Sequence, residues 1–234
     1  MVSAWTNVAR AVLTSSFSTR RLTPPLFSLS VSSAGATVEG EDLSIFYGDE
    51  KALTTITDRR KFLPSETYGS LVRDAVVCCV DLLLVRYNSE LNRKECLLVE
   101  RSSEPAKGHW WLPGGRLLKG ETFFAAAERK AQQETGVSAV KPIQVLGVWN
   151  TFFPRSSWDT KESQGTQTVN PIVLVEMLQE NAGITLDDQS ESYRWIGLDP
   201  AAAEANNEDR YVLQALYRLE AWDPGYINRK KMTS

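Results

Sequence analysis

Long apolar runs in the middle of the chain predict a sheet that is buried on both faces. The run "AVVCCVDLLLVRY" (75–87) is almost continuously apolar, which is typical of a central strand. The run "ECLLVERS" (95–102) follows across the polar turn "NSELNRK", and this order predicts a hairpin. Further strands are predicted in "HWWLPGG", before a glycine turn, in "KPIQVLGVWNTFF" and "TVNPIVLVEML", which a polar loop from Pro154 to Thr168 separates, and in "ESYRWIG".

Helical spacing of apolar residues occurs in three segments. The segment "KFLPSETYGSLVRDA" predicts a short helix with Ser65 as its N-cap. A second helix is predicted from Thr122 to Thr135, with Gly136 as a left-handed cap. The segment "EDRYVLQALYRLEAW" predicts an amphipathic C-terminal helix, and "LDPAAAE" predicts a turn. Mixed strands with helices on both sides place the chain in the α/β class, as an α/β/α sandwich with a mixed sheet.

The first 38 residues differ in composition from the rest of the chain. They contain eight serines, three arginines and no acidic residue, with apolar residues spaced as on one face of a helix. This composition is typical of an organellar transit peptide, and a mitochondrial address is preferred to a plastid or cytoplasmic one. We interpret residues 39–60 as a linker or edge element, 61–222 as the main domain and 223–234 as a C-terminal tail.

The charge balance of the chain argues against a broad nucleic-acid-binding face. The whole chain has 26 basic and 29 acidic residues, and without the three arginines of the first 38 residues the net charge is −6. A local basic pocket is compatible with this balance. No apolar run reaches the roughly 18 residues of a membrane helix, so no membrane partner is expected. The three cysteines lie in apolar runs and are predicted to be buried thiols.

The stretch "LPGGRLLKGETFFAAAERKAQQETGV" has the spacing of the Nudix box. Five fixed positions of that box are filled, by Gly115, Glu121, Arg129, Glu134 and Gly136. The glycines let the backbone approach a cation, and the helix places its acids on one side, where Mg²⁺ can bridge to a substrate diphosphate. The chain is therefore identified as a member of the Nudix superfamily, which implies a Nudix-type fold and Mg²⁺ as the cofactor.

Two positions of the box depart from the family pattern. Lys130 and Gln133 stand where the pattern has glutamates, so Glu121 and Glu134 are the acids that remain. A unit charge about 6 Å from a cation, at an effective dielectric near 20, costs roughly 2 to 3 kcal/mol. A cluster of several metal ions is therefore not expected, whereas a single Mg²⁺ is. Arg129 is expected to hydrogen-bond to the box carboxylates.

Within the superfamily, the chain resembles the GDP-mannose mannosyl hydrolases. The likeness runs through "FLPSETYGSLVR", "VDLLLV", "ERSSEPAKGHWWLPGGRLLKGETFFAAAER", "GVWNTFF" and "DQSESYRWIG", which together span about two thirds of the chain. It implies substitution at the anomeric carbon of a sugar, with GDP leaving on a single Mg²⁺. Carried over by position, the metal ligands are the carbonyl of Gly114 and the side chains of Glu134 and Gln189.

The same resemblance assigns three residues to the substrate. Arg101 and Arg116 match arginines that bind the departing diphosphate and stabilise its charge, a role that suits the bidentate guanidinium group. Asp81 matches an acid of the substrate pocket. An acid within so apolar a strand has to be paired or face a site, because burying a lone carboxylate is costly.

The general base of that branch has no counterpart in this chain. The branch has a histidine directly after the glutamine ligand, and Ser190 stands there instead. Losing a general base typically costs about 10² to 10⁴ in rate. Glu191 is the nearest replacement, and Glu162 in the polar loop is the second. The single histidine, His109, is expected to be a solvated strand residue.

The sequence predicts a Mg²⁺-dependent hydrolase that cleaves a nucleoside diphosphate linked to another group, with a nucleotide sugar of the GDP-mannose type as first choice. Two alternatives stay open. One is conventional attack at phosphorus of a nucleotide or an RNA 5′ end, which is the only form in which nucleic acid is expected. The other is a catalytically silent nucleotide- or RNA-binding subunit of an organellar complex. Bacterial relatives form dimers, so a homodimer is the assembly to test.

Overall fold

The computed structural model describes Ile56, residues 61–158 and residues 165–229. Within them the helices are α1 (Ser65–Asp74), α2 (Phe123–Thr135), α3 (Pro200–Ala205) and α4 (Arg210–Trp222). The strands are β1 (Val77–Asn88), β2 (Arg93–Arg101), β3 (Trp110–Trp111), β4 (Gly114–Arg116), β5 (Val140–Phe153), β6 (Thr166–Met177) and β7 (Ser190–Gly197). None of these helices is long and apolar enough to cross a membrane. The predicted transit peptide and all of the predicted linker except Ile56 lie outside the described residues.

The strands form one mixed sheet with β1 at its centre. One edge of β1 pairs in parallel with β6, and β5 continues the sheet beyond β6 in antiparallel orientation. The other edge of β1 pairs antiparallel with β4 at residues 79–81 and with β2 at residues 85–88. β2 in turn pairs with β3 and β7. The strand that pairs with this edge of β1 therefore changes from β4 to β2, and the sheet opens between these two strands.

Helices cover both faces of the sheet, because successive residues of β1 point to opposite sides. Leu82 belongs to a buried cluster with Ala127 of α2. Leu83 belongs to a second cluster with Leu216 of α4, and all four side chains are fully buried. These two clusters are the layers on either side of the sheet. The predicted α/β/α sandwich with a mixed sheet is confirmed.

The signals at helix ends are partly confirmed. Thr122 caps α2, since its Oγ1 atom accepts a hydrogen bond from the N–H of Ala125 at 3.0 Å, and Gly136 ends the helix with a left-handed φ of 74°. The prediction of Ser65 as the N-cap of α1 is wrong. Ser65 is the first helical residue, and Pro64 precedes it in an extended conformation without a side-chain cap.

Three irregular segments also differ from the prediction. The two glycines after Trp111 form the extended strand β4 rather than only a turn. The segment after β7 forms α3, because the carboxylate of Asp199 accepts from the N–H of Ala201 at 2.9 Å and so caps a helix. The polar loop ends earlier than expected, since β6 begins at Thr166. Residues 159–164 of this loop lie outside the described residues.

The segment after α4 packs against the sheet. Tyr226 is buried, and its hydroxyl donates a hydrogen bond to Glu176 at 2.6 Å. The ammonium of Lys94 lies 3.4 Å from the centroid of the same ring. Residues 223–229 therefore pack with the domain, whereas 230–234 of the predicted tail lie outside the described residues.

Truncating Leu216 to alanine is expected to lower the free energy of unfolding by about 2 to 5 kcal/mol, because the change removes buried methyl groups and leaves a cavity under α4. Leu216 is 0% exposed, whereas Leu91, in the turn between β1 and β2, is 56% exposed and serves as the control. The variant L91A should stay within about 0.5 kcal/mol of the wild type. Urea unfolding measures both, and equal losses would contradict the assignment of the core.

Candidate active site

A cleft of about 520 Å³ opens beside β4 and the first half of β1. Five of the predicted site residues line it, namely Asp81, Arg101, Gly114, Arg116 and Gln189. They come from β1, the end of β2, β4 and the turn before β7, and so are separated along the chain. The sheet opening thus brings them to one cavity, and Lys130 of α2 joins them in its lining.

The glycine pair of β4 allows charged groups to touch the backbone from both sides. A Cβ atom on Gly114 would lie 2.2 Å from Oδ1 of Asp81, and one on Gly115 would lie 2.7 Å from Nζ of Lys130. Real Cβ atoms do not come so close to other heavy atoms, so neither position accepts a side chain unless its neighbour moves. The glycines are therefore required for the close approach of Asp81 and Lys130 to this strand.

A buried ion pair lies next to Gly115. Lys130 and Glu134 are one helical turn apart in α2, and Nζ donates to Oε1 at 2.6 Å. Both residues are buried, at 8% and 4% exposed. Burial raises the pKa of Glu134, while the charge and hydrogen bond of Lys130 lower it. Glu134 is thus already paired with a cation from its own helix.

The other acid of the box is bound to Arg129. Nε and one terminal nitrogen of Arg129 donate to the two carboxylate oxygens of Glu121, at 2.6 and 2.8 Å. The same guanidinium donates to the carbonyl of Arg116 at 3.0 Å and to Gln133 at 2.9 Å. Arg129 therefore ties α2 to strand β4, and Glu121 has a structural role in holding the arginine.

Asp81 is the centre of a buried polar network. Its Oδ2 atom accepts from the amide of Asn170 at 2.7 Å and from the hydroxyl of Tyr211 at 2.5 Å. Asn170 in turn accepts from Thr168 at 2.5 Å and from Thr151 at 3.2 Å. Burial raises the pKa of Asp81, although these donors and the charges of nearby basic residues lower it. The network fixes the carboxyl group at the wall of the cleft.

Two arginines border the cleft, and some of their N–H groups are available to a ligand. Nε of Arg101 donates to the carbonyl of Pro105 at 2.8 Å, which fixes the side chain on the loop after β2. The guanidinium carbon of Arg116 lies 4.5 Å from the ring centroid of Tyr68 and 5.6 Å from that of Phe62. Among the described residues, neither arginine forms an ion pair with a carboxylate. Each has N–H groups left for an anionic ligand.

Aromatic rings line the mouth of the cleft. Tyr68 of α1 meets Trp158 edge to face, with ring centroids 5.6 Å apart. Trp111 of β3 meets Phe153 at 5.8 Å and lies stacked on Tyr211 at 4.2 Å. Such rings offer flat apolar surfaces beside the two arginines. The cleft therefore combines cationic groups with surfaces that suit a planar ring.

Glu191, the first candidate base, does not reach the cleft, and neither does the single histidine. Glu191 is exposed in β7, where the pairing register with β2 shifts, and it is absent from the cleft lining. The side chain of His109 is 59% exposed, and its Nδ1 atom lies 3.1 Å from Asp209, the N-cap of α4. Glu162 lies outside the described residues. Glu134 does not line the cleft either and adjoins it through Lys130.

Sequence reasoning missed the partners of Asp81 and the contact of Tyr68 with Trp158 at the mouth of the cleft. Asn170 is an amide within the apolar run "TVNPIVLV", and this polar interruption matches that of Asp81 in β1. Tyr211 lies on the apolar face of α4, where a hydroxyl has to find a partner. Both signals were present in the pattern. Nothing in the pattern linked Tyr68 to Trp158, because their contact joins α1 to a loop.

The predicted magnesium donors include one carboxylate, and it is already paired with Lys130. Among the described residues, no three side chains of His, Cys, Asp or Glu cluster so as to hold a metal ion. Glu134 is the only carboxylate among the predicted donors, and one of its oxygens is bonded to Lys130. A double charge about 6 Å from an ammonium costs roughly 5 kcal/mol at an effective dielectric near 20. The donor set therefore disfavours a resident divalent ion.

The chain matches the family profile of the NUDIX domain over residues 81–216, more than half its length. The low-salt glycan biosynthesis protein Agl8 of Haloferax volcanii is 29% identical over 128 residues, which cover 54% of this chain and 74% of Agl8. The 8-oxo-dGDP phosphatase NUDT18 of Danio rerio is 26% identical over 150 residues, covering 62% and 41% of the two chains. The asymmetrical bis(5′-nucleosyl)-tetraphosphatase of Rattus norvegicus is 30% identical over 101 residues, covering 43% and 64%. The chain thus spans less than two thirds of the last two relatives.

Two solved structures match part of the chain at low sequence identity. An Ap4A hydrolase of C. elegans, in a binary complex, matches with a TM-score of 0.48 and 19% identity, over 64% of this chain and 100% of that one. The Nudix hydrolase RenU of M. smegmatis matches with a TM-score of 0.48 and 19% identity, over 66% and 90%.

Replacing Asp81 by asparagine is expected to remove a pH dependence of stability. Burial raises the pKa of Asp81, so the native state keeps its proton to a higher pH than the unfolded chain. The stability from this group is complete below the unfolded pKa and is lost as the pH rises through the raised native pKa. The unfolding free energy of D81N relative to the wild type should therefore increase from about pH 4 upward. Urea unfolding over a pH series measures it, and a constant difference would refute it.

Proposed function

The chain belongs to the Nudix hydrolases, and we propose that it cleaves a nucleoside diphosphate linked to another group. The observation that supports this substrate class is the convergence of Arg101, Arg116 and Lys130 on one cleft lined with aromatic rings. Guanidinium groups match phosphate oxygens in a bidentate manner, and an ammonium adds a compact charge. A diphosphate is the part of a nucleotide that uses several cations in so small a space.

The rest of the substrate would lie on the other walls of the cleft. The rings of Tyr68, Trp111 and Trp158 offer stacking surfaces for a base or a sugar. Oδ2 of Asp81 is occupied by Tyr211 and Asn170, so its Oδ1 atom is the one to accept a hydroxyl group of the substrate. In this arrangement the cations orient the diphosphate, and Asp81 positions the group attached to it.

A nucleotide sugar of the GDP-mannose type is the substrate that we place first. The sequence resemblance to that branch includes Arg101, Arg116 and Gln189, and Agl8 is named for glycan biosynthesis. Two other relatives are named for 8-oxo-dGDP and for bis(5′-nucleosyl) tetraphosphates. Those names support the alternative of attack at phosphorus, on a nucleotide or an RNA 5′ end.

Mg²⁺ stays a prediction for this chain. Nudix hydrolases generally use divalent metal ions, and the predicted ligands here are the carbonyl of Gly114 and the side chains of Glu134 and Gln189. The ammonium of Lys130 beside Glu134 opposes such an ion. The proposed binding of the diphosphate is therefore assigned to the cationic side chains of the protein.

A nucleotide-binding subunit without turnover is the second candidate function. The observation in its favour is that the described part of the cleft is lined by no histidine and by only two acids, Asp81 and Glu104, of which Asp81 already accepts hydrogen bonds from Asn170 and Tyr211. Glu104 itself lies 3.9 Å from Arg155. Organellar import, with mitochondria placed before plastids and the cytoplasm, and a homodimer remain proposals from the sequence.

Hydrolysis in ¹⁸O-labelled water tests the reaction. The full chain is incubated with GDP-mannose and other nucleotide sugars, with and without Mg²⁺, and the products are analysed by mass spectrometry. We expect the label in the released sugar, because the proposed substitution occurs at the anomeric carbon. Label in a phosphate would establish attack at phosphorus instead. Binding without any turnover would support the second candidate.

Replacing Arg116 by alanine is expected to raise the Kd for GDP about tenfold or more. A hydrogen bond to a charged group contributes about 1.5 to 3 kcal/mol, and tenfold in Kd corresponds to about 1.4 kcal/mol. Arg218 is exposed on α4 and does not line the cleft, so R218A is the matched control and should bind as the wild type does. Calorimetric titration measures both. Equal effects of the two changes would remove Arg116 from the site.

A further inference from the structure

The ammonium of Lys130 lies where the box normally has acidic side chains. Lys130 takes a position at which the Nudix pattern has a glutamate, and its side chain is 8% exposed. Nζ is 2.6 Å from Oε1 of Glu134 and 2.7 Å from the place of a Cβ atom on Gly115. The side chain also lines the cleft. A positive charge is therefore fixed beside the glycine strand, in contact with the substrate cavity.

The ammonium has donors left for a ligand. An ammonium carries three N–H groups, and the hydrogen bond to Glu134 uses one of them. Its charge also acts on groups on the cleft side of β4. Burial raises the pKa of Asp81 and the pKa of Cys79, and the positive charge of Lys130 opposes both increases. Lys130 thus faces the cavity as well as its helical neighbour.

A divalent ion at the other oxygen of Glu134 would lie beside this ammonium, and one at Oε1 would have to displace it. Lys130 would then lose its carboxylate partner while staying in a buried position, and removing one partner of a buried ion pair is strongly unfavourable. The phosphate oxygens of a ligand are a better second partner, because they can bind the ammonium without separating it from Glu134. Together with Arg101 and Arg116, the chain then places three cations around a diphosphate.

We infer that Lys130 is the resident cation of this site and binds the diphosphate of the substrate directly, so that nucleoside diphosphates bind without a divalent metal ion. The inference rests on the proposed function in one respect, namely that the cleft takes a diphosphate. It goes further by replacing the expected metal with a side chain. The family pattern thus neutralises the diphosphate with a divalent metal ion, whereas this chain uses the ammonium of Lys130.

The test is the affinity of the full-length protein for GDP, measured by calorimetry in excess EDTA and again in Mg²⁺. For the wild type we expect the two Kd values to agree within about threefold, since the cation belongs to the protein. The variant K130M should bind GDP about tenfold more weakly or worse in EDTA, because a hydrogen bond to a charged group is lost. K141M is the matched control, since Lys141 is exposed at the start of β5 and outside the cleft.

The variant E134Q separates the two explanations, and it serves equally if K130M fails to fold. Without the carboxylate, Lys130 has no anionic partner on its own helix, so GDP should bind more tightly in EDTA. If Glu134 held a metal that in turn held the diphosphate, E134Q should lose GDP binding in Mg²⁺. Circular dichroism confirms that each variant is folded.

The outcomes distinguish this inference from the proposed function. GDP binding by the wild type that needs Mg²⁺ would overturn the role of Lys130 and leave the substrate class intact. The same holds for unchanged binding by folded K130M in EDTA, or for lost binding by folded E134Q in either condition. No GDP binding by the wild type in either condition would overturn both. Metal-independent binding that K130M weakens and E134Q strengthens supports the inference.

Discussion

The absence of side chains at two adjacent positions of β4 is the constraint on which the site depends. At Gly114 the carboxyl group of Asp81 lies against the strand, and at Gly115 the ammonium of Lys130 does so from the other direction. Asp81 belongs to the layer under α4 and Lys130 to α2, so the strand separates groups from opposite faces of the sheet. Any residue with a Cβ atom would push one of them away. The glycines thus determine which charges reach the cleft.

The fold could be predicted from the sequence wherever one strong local pattern decided the structure. The continuous apolar run of β1, its hairpin with β2, and the capped amphipathic helix α2 all follow from burial and end signals. The errors lie where signals are short. Ser65 is a good capping residue, yet Pro64 already provides the extended turn into α1, and the strand formed by the glycines depends on pairing with β1 rather than on glycine preference.

The candidate site was predictable in its box residues and not in its distant partners. Spacing identified Gly115 and Glu134, and the family resemblance added Gly114, Arg101 and Arg116. The donors to Asp81 lie 89 and 130 residues further along the chain, at Asn170 and Tyr211, and no local pattern connects such positions. The sign of the charge at residue 130 was visible in the sequence. That this charge points at the glycine strand depends on the packing of α2 against β4.

One side of the mouth of the cleft is built from segments outside the sheet. Tyr68 and Gly69 of α1 meet Trp158 of a loop, and a methyl group on Gly69 would already lie 2.9 Å from that indole ring. Both segments sit at the periphery, so changes in them leave the buried clusters of the sandwich untouched. The charged residues at the base of the cleft and the aromatic residues of these two segments can accordingly diverge at separate rates in evolution. One inherited chemistry at the base could then serve new molecules through exchange of a few outer residues.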